Sequence, residues 1–198
     1  MPRRGSWPPL LGLYAAALAG ATVADAPPPA ISLHARGIGP LALGAPLRIA
    51  AARTAVLVPS AALIGPGCDE REQNSVLLRI AGIPSTVMAM AGGDGRIEEI
   101  IALPASGAAY SLPASACREL GERYADALRT TLGVYRPLPP RANPASEEYR
   151  LKFDHGAEVV ARWFAGGGTC DLALHFGGRT ASSPAGASGT SGVPSSGL

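Results

Sequence analysis

Three cysteines, three histidines and two adjacent glutamate pairs are the residues of this chain that could carry chemistry. His34, His155 and His175 are far apart, and neither an H-x-x-x-H nor a C-x-x-C spacing occurs. The ligand grammar of a zinc site is therefore missing, and neither a metal nor a cofactor is expected. Cys68, in "GPGCDEREQN", is the one candidate nucleophile. Asp69 and Glu70 follow it, a negative setting that works against a thiolate. The C-terminal serines lack a G-x-S-x-G elbow. Glu98-Glu99 and Glu147-Glu148 lie in strand-like stretches. Adjacent strand residues point to opposite faces, so neither pair forms an acid–base dyad by itself. "GGDG" lacks the helix and lysine of a phosphate loop and reads as a turn. "DEREQN" lacks the residue order of a calcium loop.

The other two cysteines must be placed by their elements. "SACRELGERYADALRTTLG", residues 115–133, has helical periodicity. Cys117, Leu120, Tyr124, Leu128, Thr131 and Leu132 share one face, and charged residues fill the other. Ser115 is the expected cap, and Gly133 the terminating glycine. Cys170 opens "TCDLALHF", where Cys170, Leu172, Leu174 and Phe176 alternate onto one strand face. His175 then faces outward, while His155 sits at a turn. A helix laid on that strand face points Cys117 and Cys170 into one layer, and an oxidising compartment would close the pair. Cys68 is left over in a polar loop. It is a free thiol, an intermolecular bridge or a competitor for one of the other two.

The remaining elements follow from turn signals. Ile31–Ala35 alternates as a short strand would, and Pro46–Arg53 reads as a short helix. Residues 75–103 read as a hairpin or part of a meander, with Gly92–Gly95 as a tight connection. Residues 136–145, "RPLPPRANPA", read as a proline-rich loop. Three antiparallel strands follow, separated by turns at Asp154–Gly156 and Gly166–Gly168. The order predicts an α+β fold. An antiparallel sheet packs against one long amphipathic helix and a shorter N-terminal helix. A weak twofold repeat, helix then strands, is readable in 46–103 and 115–176.

Charge and composition narrow the partners. The net charge is +2 and aromatics make up 5% of the chain. No Lys/Arg run follows Arg4, so nucleic acid is not an expected partner. The first 26 residues have the three parts of a secretory signal: Arg3-Arg4, an uncharged apolar stretch from Leu10 to Val23, and small residues up to Ala26. The apolar stretch is shorter than the roughly 20 residues of a membrane span. Residues 27–36 read as a linker, 37–177 as a single domain, and 178–198 as a disordered Ser/Gly/Pro tail. The expected location is the periplasm or the medium, with no stable membrane span after cleavage.

Residues "GIGPLALGAPL", Gly37 to Leu47, resemble a recurrent opening motif of small exported bacterial proteins. That motif is a G-(I/L)-G-P-(V/L)-x-L-G-M stretch before a short helix, then a cysteine, then a hairpin with a D-G turn. Gly37, Gly39, Pro40, Leu43 and Gly44 match it, and Cys68 and Asp94-Gly95 follow in order. Ala45 stands where methionine is usual. The helix-then-strands order is similar to the β-lactamase-inhibitor and outer-membrane-assembly small-lipoprotein folds. The resemblance implies a protein-binding, non-enzymatic role and assigns no residue. The lipid-anchor cysteine of the assembly lipoproteins is missing. The leading expectation is a non-catalytic exported protein that binds an envelope protein or a cell-wall component. The alternatives are an envelope enzyme with Cys68 as its reactive thiol, and a structural domain with no ligand.

Overall fold

The computed structural model describes residues 29–105 and 110–177. The signal segment 1–26 and the tail 178–198 lie outside the described residues. In chain order the elements are β1 (Leu33–His34), β2 (Gly37–Ile38), β3 (Leu41–Ala42), α1 (Leu47–Ala55), a 3-10 turn (Pro59–Ala62), β4 (Ile64–Pro66), β5 (Glu72–Ile80), β6 (Ile83–Ala91) and β7 (Ile97–Pro104). They continue as β8 (Tyr110–Ser111), α2 (Ala114–Leu132), β9 (Tyr135–Pro137), β10 (Arg141–Asn143), β11 (Ser146–Phe153), β12 (Glu158–Phe164) and β13 (Thr169–Gly177). The fold is α+β.

One antiparallel sheet runs β4-β5-β6-β7-β13-β12-β11-β10, with β9 added to β11 and β8 to β13. Two meanders, β5-β6-β7 and β11-β12-β13, are joined where β7 pairs with β13, opposing Ala102 to Leu174 and Ile101 to His175. Period-2 patterning sets the buried face. Val76, Val87, Ala102, Leu174, Val159 and Leu151 form one apolar row across six strands. Helix α1 contacts β5 and β6, and α2 contacts β11, β12 and β13. Both helices feed a single core.

Gly121 explains how closely α2 sits. A Cβ at that position would lie 2.9 Å from the Ala161 Cβ on β12. Helix and strand meet through the smallest side chains available, and Cys117 comes within bonding reach of Cys170. The β1–β3 segment covers the core between the helices, with contacts to α2 and β7. Ile38 and Leu41 are fully buried there. The motif glycine Gly37 has φ +157°, and a Cβ would stand 2.1 Å from the Leu41 carbonyl oxygen. Only glycine tolerates that approach.

Several expectations need correction. The linker assigned to 27–36 is in part folded, because Ala30 bridges to Arg79 and Leu33–His34 pairs with Gly37–Ile38. Ser115 does not cap α2. The N-cap is Pro113, which has no side-chain bond to give. Thr131 is exposed, and Gly121 takes a place on the buried face. The proline-rich loop holds β9 and β10, both paired to β11. Prolines are tolerated there because these are short edge strands. Of the two readings of 75–103 the meander holds, with β5, β6 and β7 paired in sequence over 72–104.

Candidate binding face

Cys117 and Cys170 are fully buried, with their sulfurs 2.04 Å apart and their Cα atoms 5.6 Å apart. The pair joins the first turn of α2 to the start of β13. It is structural, walled off from solvent. Cys68 is a free, exposed cysteine in the β4–β5 turn. Its neighbour Asp69 is engaged by Arg71, which also donates to Glu99 at 2.8 Å. The Arg71 guanidinium holds the Asp69 carboxyl below its ordinary range. His34 contacts the Gly39 carbonyl at 2.9 Å, a local turn bond. His155 is exposed in the β11–β12 turn. The structure thus brings Cys117 and Cys170 together and leaves Cys68 and the three histidines apart on separate elements. Among the described residues no group of three or more His, Cys, Asp or Glu is placed to hold a metal ion.

Chemical interest gathers instead on the sheet face that the helices leave open. A groove of about 430 Å³ crosses its centre, walled by Met88, Ile101, Leu103, Val160, Ala173 and His175. Leu103 and Leu77 are 39% and 48% exposed on this face. The register converts scattered residues into a continuous row. Arg136 opposes Lys152, Lys152 opposes Glu158, Glu158 opposes His175, His175 opposes Ile101, and Ile101 opposes Met88. The row passes from cations, through one carboxylate and an imidazole, to an apolar floor.

Its charged end is cross-linked. Arg162 donates to Glu148 from Nε at 3.1 Å and from Nη2 at 2.5 Å. Arg150 donates to Glu158 from Nε at 3.1 Å and from Nη2 at 2.5 Å, and Lys152 Nζ lies 3.5 Å from the same carboxylate. His175 faces Glu158 and Glu99. Burial lowers its pKa below the ordinary 6.5, and the two carboxylates offset this only in part. Burial at the groove wall thus favours the neutral imidazole.

The glutamate pairs divide as strand geometry requires. Glu148 joins the open face, while Glu147 accepts a 2.6 Å hydrogen bond from the Tyr149 hydroxyl, a bond that raises the Tyr149 pKa. Glu99 takes the Arg71 pair. A second groove, of about 450 Å³, lies between α2 and β11–β12, where Arg118 stacks over Tyr149 at 5.5 Å.

Sequence reasoning missed the basic residues of the open face. Arg136, Arg141, Arg150, Lys152 and Arg162 never form a run, because they alternate along four different strands. The available signal was the period-2 placement of Arg150 and Lys152 opposite Leu151 and Phe153. No protein-family model, no curated protein and no solved structure matches this chain.

Proposed function

We propose that this chain is an exported, non-catalytic binding protein that meets its partner through the open sheet face. The observation that carries the reading is the apolar groove at the centre of that face, bordered on its β11–β12 side by ion-paired side chains. A patch with an apolar middle and a polar rim is the anatomy of a protein–protein contact. Export is supported by the three-part N-terminal segment and by a cysteine pair at disulfide distance. Among the described residues no helix is long and apolar enough to cross a membrane. We read the two helix-then-three-strand units as a weak twofold repeat about the β7–β13 seam. That order supports the resemblance to inhibitor-like and assembly-lipoprotein-like folds, whose role is to bind proteins.

The test uses purified mature protein on a support, challenged with an envelope extract. The double variant Ile101→Gln/Ala173→Gln makes the groove floor polar without adding charge. Arg129→Ala, on the exposed side of α2, is the control. A protein retained by wild type and control and lost on the groove variant supports the reading. Equal retention by the groove variant overturns it. Alkylation of Cys68 should leave retention unchanged. An envelope enzyme built on Cys68 would instead lose its activity.

A further inference from the structure

We infer that the partner is an acidic protein surface that places one apolar side chain in the groove and its carboxylates on the β9–β12 wing. This rests on the open face being the binding site. Four cations, Arg141, Arg150, Lys152 and Arg162, meet the carboxylates of Glu148 and Glu158, and a fifth, Arg136, stands beside them opposite Lys152. Glu148 is shared by Arg141, Arg150 and Arg162, and Glu158 by Arg150 and Lys152. Asp171 stands opposite Arg162 in register and lines the groove with it, and Asp154 lies in the β11–β12 turn; among the described residues neither is within ion-pair distance of these cations. Each internal carboxylate is therefore oversubscribed, and the outermost cations keep unused donors.

The sharpest feature is the register itself. Arg136 is the direct cross-strand partner of Lys152, whose ammonium turns the other way, to Glu158 at 3.5 Å on β12. Arg136 is exposed and makes no ion pair among the described residues. A carboxylate arriving from a partner would give Arg136 the counter-charge that Lys152 already has in Glu158. From that point the row leads inward to Glu158, His175 and the apolar floor. A partner aligned along it presents acid at one end and an aromatic or aliphatic anchor at the other. The groove, about 430 Å³, has room for such a side chain. Complementary charge of this kind speeds encounter and fixes orientation, and its effect falls with salt.

Fluorescence anisotropy with three labelled peptides tests the inference. One peptide consists of aspartate and glutamate around a central phenylalanine, the second replaces the acids by lysine, and the third lacks the phenylalanine. The acidic aromatic peptide should bind best. Its affinity should fall about tenfold in Arg136→Glu/Lys152→Glu and again at about 0.5 M salt. Ile101→Gln/Ala173→Gln should bring it down to the level of the peptide without phenylalanine. Tighter binding of the lysine peptide, or no binding of the acidic one at about 1 mM, overturns the inference. Equal binding of the acidic peptides with and without phenylalanine, together with heparin competition, points to an anionic polymer and also overturns it. The envelope protein retained in the preceding experiment separates the two claims. Its loss on the groove variant, with undiminished retention on Arg136→Glu/Lys152→Glu, keeps the binding face and removes the acidic partner.

Discussion

Tyr124 and His175 show how single residues carry opposite kinds of cost. Tyr124 lies on the buried face of α2, and burial pushes its hydroxyl up to about 12. That hydroxyl sits beside Ser85 but outside hydrogen-bond geometry. A buried, unpaired polar group is costly, and removing it can be neutral or stabilising. Tyr124→Phe should therefore leave urea stability unchanged or raise it by about 1 kcal/mol. His175 works through pH. Its folded pKa lies below the ordinary 6.5, so the unfolded chain takes up a proton first as pH falls. Stability from this residue is present above pH 6.5 and is lost as pH drops towards the folded pKa. Urea titrations of wild type should show that slope, and His175→Gln should flatten it. A slope unchanged in His175→Gln would assign the pH dependence to other groups.

At the level of elements, α2 is fixed to the sheet at two neighbouring points, the Cys117–Cys170 pair and the Gly121–Ala161 contact. The pair encloses 53 residues of sequence separation. In the chain-entropy account, opening such a loop costs about 4 kcal/mol. Cys117→Ser/Cys170→Ser should lower the unfolding free energy by about that amount in chemical denaturation. Gly121→Val pushes a branched side chain against β12 and should cost about 1–3 kcal/mol, although valine is a better helix residue than glycine. Helix α2 was legible because its apolar spacing spans five turns. Its contact with β12 was not, since Gly121 carries no hydrophobic signal. The short strands β9 and β10 were hidden by Pro137, Pro139 and Pro140. Proline argues against a central strand and is silent about an edge.

For the whole molecule, local pattern gave the α+β class, because alternation and turn residues agree over both meanders. The order of strands in the sheet did not follow, since no local signal says that the third strand of one meander pairs with the third of the other. The candidate face was invisible for the same reason. Its row from Arg136 to Met88 exists only once six strands are in register. Hydrogen exchange should reflect that architecture, with the slowest amides in β6, β7, β12 and β13 and the fastest in the edge strands β4 and β10. Uniform protection from β4 to β10 would contradict it.

β13, the last strand among the described residues, is one of the two central strands of the sheet, and this has a temporal meaning. A protein threaded across a membrane from its N-terminus delivers Cys68 first, Cys117 next and Cys170 last. On the exported reading, the two early thiols meet an oxidising solution while the correct partner is still on the other side. A mispaired Cys68–Cys117 intermediate is then the first bridge within reach, and maturation waits on thiol exchange once β13 arrives. Alkylation trapping during export, followed by peptide mapping, should find that bridge early. Cys68→Ser should shorten the route to the native pair, and equal rates for the two proteins would show that the exposed thiol takes no part in it.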